Sequence, residues 1–285
     1  MRLVYLGTPE MAVPPLQALV AAGHDVALAI TRADRRRGRG GATSPSPVKA
    51  AAGELGVAVS HDVDDVLAAG AELGVVVAFG RIIKPHVLAA LPMVNVHFSL
   101  LPRWRGAAPV ERALLAGDTE TGVCIMDVEE GLDTGGVHAR AVVPIGPRAT
   151  AEELRTELVA VGTELLVDVL SRPLGPSTPQ AGESTYADKI DPAELELDWT
   201  RPGAELDRWV RVGGAWTTFR GRRLKVISAE PGPRSAAPGE LAGDAVGAGR
   251  GSLRLLTVQP EGKAPMTWRD FANGVHPRDG ERLGA

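Results

Sequence analysis

Within VNVHFSLLPRWRGAAP, residues 94–109, an amide and an imidazole stand two positions apart, Asn95 and His97. Apolar residues alternate around them, which predicts a strand, and on a strand side chains i and i+2 share one face. A carboxylate to accompany them, Asp133, lies in EEGLDTGG (129–136), where Gly131 and Gly135 permit a tight loop. An amide donor, an imidazole and a carboxylate suit acyl transfer from a carbonyl. Asn95 would donate to the oxygen that gains charge as the carbon becomes tetrahedral. His97, with an ordinary pKa of about 6.5, would move protons near neutrality. Asp133 would orient His97, raise its basicity or pass a proton through water. A bland alternative stands beside this one: a strand histidine with a polar neighbour is often a satisfied core residue, and nothing in the spacing brings His97 to Asp133.

The elements that must position these groups follow from periodicity and punctuation. RLVYL (2–6) is predicted as a buried strand ending at Gly7, followed by a helix from about Met11 to Ala22 stopped by Gly23. Further strands are expected at DVALAI (25–30), VAVS, GVVVAF (74–79) and MVNVHFS, with GVVVAF apolar on both faces as a central parallel strand should be. Ser46–Pro47 opens a helix to about Leu55, and Thr150 with Glu153 forms a capping box for a helix running to about Leu170. Strands alternating with helices predict a doubly wound, mostly parallel α/β sheet, whose ligand crevice lies at the carboxyl ends of the strands. SRPLGPSTPQAGEST (171–185) reads as exposed linker. Beyond it, WTTFRGRRLKVISAE (216–230) is a hairpin turning at Gly221 and GSLRLLTVQP (251–260) a further strand, which suggests a small β-barrel-like (OB-like) domain. The expected division is a catalytic domain over 1–176, a linker over 177–194 and the β domain over 195–285.

Composition excludes several classes. The 285 residues are 44% apolar, enough for two ordinary cores. A net charge of −4 supplies no global attraction to nucleic acid, so any such contact must be local. With one cysteine, Cys124, no intramolecular disulfide forms, and Cys124 itself reads as a small core residue. Six scattered histidines (24, 61, 86, 97, 138, 276) lack ligand spacing, so no metal is expected. Gly7 alone replaces the G-x-G-x-x-G of dinucleotide folds, with Pro14 and Pro15 following. No run approaches ~18 apolar residues and the N-terminus lacks a signal-like stretch, so a cytoplasmic protein away from membranes is expected.

NVHFSLLPRWRGAAP followed by GLDTGG resembles the signature of the folate-dependent formyltransferases. The order TPE, PSPVK, VVVAFG, NVHFSLLPRWRGAAP, TGVCIM, GLDTG, TYADKI and VQPEGKAPM is similar, nearly end to end, to the methionyl-tRNA formyltransferase family. The resemblance implies transfer of a formyl group from 10-formyltetrahydrofolate to the α-amine of methionine on initiator tRNA, without a metal. It implies catalytic roles for Asn95, His97 and Asp133, and folate contacts at Ser99, Leu100, Leu101 and Pro102, with Gly80 in the turn that holds the pterin. Phe98 stands where relatives often have Gly, and alternation would turn it into the sheet. Arg81 stands where relatives often have an apolar residue.

Five arginines fall between positions 32 and 39 in TRADRRRGRGGATSPSPVK (31–49). On composition alone such a run is a solvated face. The resemblance implies a loop gripping the tRNA acceptor stem, through Arg39 and, because Gly40 and Gly41 replace basic residues of relatives, Arg35, Arg36 and Arg37. A second basic surface is expected from Arg208, Arg211, Arg220, Arg222, Arg223 and Lys225, which alternation splits between faces so that about half could meet one RNA backbone. Trp104, between Arg103 and Arg105, is either a stacking platform or a loop anchor. A monomer is expected. The main rival is a formyltransferase acting on an amino sugar nucleotide; an idle RNA-binding protein and a hydrolase of formyltetrahydrofolate fit less well.

Overall fold

A computed structural model describes residues 1–36, 43–233 and 236–285. The chain forms two compact units, one of Met1–Pro109, Glu120–Pro144 and Arg155–Asp188, the other of Val110–Thr119, Ile145–Leu154 and Lys189–Ala285.

The first unit is built on a seven-stranded sheet. Its strands are β1 (Arg2–Gly7), β2 (Asp25–Ile30), β3 (Ala58–Ser60), β4 (Leu73–Val77), β5 (Met93–His97), β6 (Glu120–Asp127) and β7 (Val137–Pro144), in the order β7-β6-β5-β4-β1-β2-β3. β1 to β5 pair in parallel, whereas β6 is antiparallel to β5 and β7 antiparallel to β6. Both faces are covered. On β1, Val4 and Leu6 join a cluster with Ile30, Val66, Val76 and Val87, while Leu3 and Tyr5 on the other face are equally buried. A sheet with two dry faces reads as near-continuous apolar strands, as β1 and β4 do.

The helices begin where the sequence supplies a start. In α1 (Val13–Ala21), Pro14 and Pro15 occupy the first turn, where a missing N–H costs nothing; the preceding Glu10–Ala12 is a separate 3₁₀ turn, so the α-helix starts later than expected. α2 (Pro47–Glu54) is capped by Ser46, whose Oγ accepts from the Lys49 N–H at 3.1 Å. α3 (Pro85–Ala90) and α4 (Pro109–Ala116) also open on proline. At α5 (Ala151–Leu170), Thr150 and Glu153 exchange the two bonds of a capping box, at 3.0 and 3.2 Å. A Cβ at Gly162 of α5 would lie 3.2 Å from Val96 and 3.1 Å from Val123, so this helix packs hard on one face of β5 and β6. The opposite face of β5 is left for Asn95 and His97. β4 stops at Val77, two residues short of the expected end, because Ala78 turns to a φ of 46°.

The second unit holds β8 (Trp216–Phe219), β9 (Arg222–Gly232), β10 (Leu241–Ala242), β11 (Ala245–Gly247), β12 (Ser252–Pro260) and β13 (Met266–Thr267). The strands pair antiparallel in the order β8-β9-β12-β11-β10, with β13 on β12, and β8 and β9 turn through Arg220–Gly221, both with positive φ. Among the described residues this ladder is open rather than a closed barrel. β10 and β11 at one edge are only two and three residues long. Isolated bridges Phe219–Leu283 and Glu240–Arg282 tie the C-terminal segment to both edges. With α6 (Gly203–Val212) and α7 (Trp268–Val275), the sheet buries Leu206, Val226, Leu253, Trp268 and Phe271 in one core. Asp207 of α6 is buried there and accepts from Arg148 at 2.7 Å and Arg211 at 2.9 Å.

Candidate active site

The sheet order reverses between β1 and β4, and a crevice opens beyond the carboxyl ends of strands at such a switch. The turns there are joined: the Arg32 guanidinium, just past β2, donates to the Gly80 carbonyl beyond β4 at 2.9 Å. Asn95 and His97 occupy the last three positions of β5 with Val96 between them, so both point away from the face covered by α5. Asn95 is half-buried, and among the described residues its amide has no hydrogen-bond partner. His97 is 5% exposed.

The tautomer of His97 is set by its neighbour. Nε2 lies 2.9 Å from the Trp104 carbonyl oxygen, which only accepts, so Nε2 carries the proton. In the neutral ring Nδ1 therefore presents a lone pair, and it faces Asp133 Oδ2 at 3.6 Å. Burial pushes the His97 pKa below its usual 6.5, against the smaller opposing pull of the Asp133 charge and the Trp104 carbonyl. The imidazole is thus held neutral and available to take a proton at Nδ1.

Asp133 reaches this position on strained backbone, with a φ of 50°, a conformation Asp tolerates better than most residues. Its Oδ2 accepts from the Gly106 N–H at 2.8 Å. Only glycine fits at 106: φ is 122°, and a Cβ would lie 2.8 Å from the Ala187 carbonyl. The Arg105–Gly106 segment pairs in parallel with Tyr186–Ala187, which fixes the loop after β5.

The other expected site residues are placed as follows. Ser99 is fully buried and donates to the Arg103 carbonyl at 2.6 Å, and Leu101 packs in a core with Cys124, Met126 and Val137. Their side chains face inward, so only backbone groups at these positions, with the half-buried Leu100 and Pro102, are open to a ligand. Gly80 has a φ of 64° in the turn after β4, and Arg81 is tied to the His61 carbonyl at 2.8 Å. Phe98 is buried, as alternation implied. Trp104 is half-buried under the Arg103 guanidinium, 4.4 Å from its ring centre. Cys124 is a buried free thiol whose pKa burial raises. Arg37 and Arg39 lie outside the described residues, and Arg35–Arg36 is described as the backbone of a short strand paired with Thr43–Ser44.

Of the six residues of the second basic surface, three are spent on acceptors within the protein. Arg208 donates to the Leu115 carbonyl, Arg211 is spent on Asp207 and the Ala149 carbonyl, and Arg220 grips Glu281 through two nitrogens. These guanidiniums satisfy internal acceptors, which periodicity cannot reveal. Arg222, Arg223 and Lys225 remain exposed, Arg223 stacked 4.1 Å from the Trp216 ring centre.

Sequence reasoning missed the residues that hold the site together. Gly106 supplies an N–H, Trp104 a carbonyl, and Thr185 and Gln180 reach in from the stretch expected as exposed linker. Pro, Gly and Ser there signal loop, but loop composition says nothing about which side chains turn inward.

Residues 1–170 match the formyl transferase family and residues 189–276 match its C-terminal domain. The chain is 45% identical to methionyl-tRNA formyltransferase of Roseobacter denitrificans over 298 residues, covering 98% of each chain. With that of Dinoroseobacter shibae it shares 46% over 292 residues, covering 96% of this chain and 98% of the relative. In fold it resembles an N-formyltransferase from Helicobacter canadensis solved with folinic acid and dTDP-3-aminofucose, at a TM-score of 0.70 and 17% identity, covering 90% and 98% of the two chains. An amide donor and a neutral imidazole beside a carboxylate, on a sheet of this topology and in a sequence matched along almost its whole length, leave one assignment: the chain belongs to the methionyl-tRNA formyltransferase family of formyl transferases.

Proposed function

We propose that this chain moves a formyl group from 10-formyltetrahydrofolate to the α-amine of methionine on initiator tRNA, with Asn95, His97 and Asp133 as the groups that do the chemistry. The observation that carries the reading is the His97 ring, whose Nε2–H is committed to Trp104 while Nδ1 is left open beside Asp133. The unpartnered Asn95 amide on the same strand face fits a donor for the formyl oxygen.

The Asn95 amide donates to the formyl oxygen as that oxygen gains negative charge under attack by the amine. His97 Nδ1 takes the proton the amine nitrogen loses, and the Asp133 carboxylate stabilises the imidazolium so formed. His97 then returns the proton to the folate nitrogen as its bond to the formyl carbon breaks, so the proton inventory closes without an outside base. Backbone groups of Ser99–Pro102 and the Gly80 turn hold the folate. Arg35, Arg36, Arg37 and Arg39 grip tRNA phosphates, and the 195–285 region with its exposed Arg222, Arg223 and Lys225 adds contacts. The protein acts as a cytoplasmic monomer, and no described helix is long and apolar enough to cross a membrane.

The relatives at 45 and 46% identity carry the tRNA enzyme's name. The sugar-modifying neighbour shares the fold at 17% identity. Incubation with 10-formyltetrahydrofolate and either methionyl initiator tRNA or dTDP-3-aminofucose separates the two. Formyl-methionine on the tRNA is expected; a formylated sugar nucleotide with unmodified tRNA overturns the assignment.

A further inference from the structure

Gln180 lies beyond α5, outside the strands and loops that present Asn95, His97 and Asp133, yet its amide is fully used on the loops of the site. Nε2 donates to the carbonyls of Asp133 and Gly135, both at 2.8 Å. Oε1 accepts from Arg105 Nη2 at 2.7 Å and Nε at 3.1 Å. An amide has two donors and two lone pairs, and all four are satisfied. The orientation is unambiguous, since a reversed amide would set N–H against guanidinium and oxygen against two carbonyls.

These bonds join the two loops that meet at His97. Arg105 precedes Gly106, whose N–H bonds the Asp133 carboxylate, and Gln180 bonds the backbone of Asp133 itself. The Asp133 backbone sits at a φ of 50°, which an aspartate holds only where its surroundings fix it. A second tie lies five residues on: Thr185 Oγ1 accepts from the Trp104 N–H at 2.9 Å, and Trp104 offers its carbonyl to His97. Gln180 is half-buried.

We propose that Gln180 is a positioning residue, a strut that sets the distance of the Asp133 carboxylate from His97 Nδ1. The proposal rests on the reading that His97 and Asp133 serve the reaction. Without the two donors at position 180, the Asp133 loop relaxes away from its left-handed conformation and the carboxylate withdraws from the imidazole. Among the described residues Asp133 is the charged group acting on His97; Cys124, opposite it on β6, is a buried thiol, and Trp104 contributes a neutral carbonyl.

The test follows the His97 ring by NMR titration in Gln180→Met and Gln180→Leu, both neutral, alone and combined with Asp133→Asn. Because the Asp133 charge raises the His97 pKa, the expected result is a fall in that pKa in each Gln180 variant. No further fall is expected on the Asp133→Asn background. Turnover should drop on the order of 10- to 100-fold, with KM for folate and tRNA nearly unchanged, as for a small misplacement of a catalytic group. Two substitutions guard against one failing to fold. An unmoved His97 titration in the folded variants overturns the strut, as does a fall that persists in full without the Asp133 charge. A titration that moves while turnover stays at the parental level supports the strut and overturns the functional reading beneath it.

Discussion

His97 Nδ1 and Asp133 Oδ2 stand 3.6 Å apart, too far for a hydrogen bond and close enough for strong charge coupling, with the two side chains 5% and 16% exposed. The pair is therefore poised rather than closed: the neutral imidazole and the carboxylate make no bond until a proton arrives at Nδ1.

That relationship predicts the pH dependence. His97 must be neutral to accept a proton, and burial lowers its pKa, so kcat/KM should lose activity on the acid side with a midpoint below 6.5. Asp133→Asn removes the charge that raises this pKa, so the residual activity should show its midpoint at still lower pH. The same group affects stability. Below pH 6.5 the unfolded state binds the proton that the folded state resists, so stability is full above the unfolded value and declines as pH falls towards the folded one. An NMR titration of the His97 ring with a midpoint above 6.5 would exclude a base that burial holds neutral.

Asn95→Ala should lower kcat on the order of 10²–10³ while leaving folate affinity near the parental value, because the amide is assigned to the charge that develops during reaction. Single-turnover rates with a direct folate-binding measurement check this. Activity within a few-fold of the parent would remove Asn95 from the mechanism.

Replacing Arg35, Arg36, Arg37 and Arg39 by Ala should raise KM for tRNA and flatten its salt dependence. Each lost phosphate contact should reduce the slope of log K against log salt by roughly 0.7–0.9. Folate binding should be unchanged. An unaltered slope means these arginines are merely solvated.

Asp207→Ala should destabilise the second unit by about 3–5 kcal/mol, since it strips the carboxylate from Arg211, which is 11% exposed, and from the more exposed Arg148. Denaturant unfolding measures the loss, and a change below 1 kcal/mol would show the two guanidiniums to be satisfied elsewhere.

Much of the architecture was legible in the sequence because local signals carry it. Apolar runs gave β1 and β4, Ser46–Pro47 and Thr150–Glu153 gave helix starts, and the i, i+2 spacing of Asn95 and His97 put both on one face. Side-chain period and capping are properties of neighbours in the chain, so they need no tertiary information. The proximity of His97 to Asp133, 36 positions apart, was not in the spacing, because it depends on two loops meeting. Nor was the tautomer, which rests on a backbone carbonyl at Trp104 that any residue type would provide. Arg211 and Arg220 looked like free charges until the fold set Asp207 and Glu281 against them. Gln180 looked like linker for the same reason: a hydrogen bond to another loop leaves no period and no motif. Sequence alone determined which groups could do the chemistry and which face of β5 they share; only the tertiary structure decided what each nitrogen and oxygen meets, because those partners come from segments that only folding brings together.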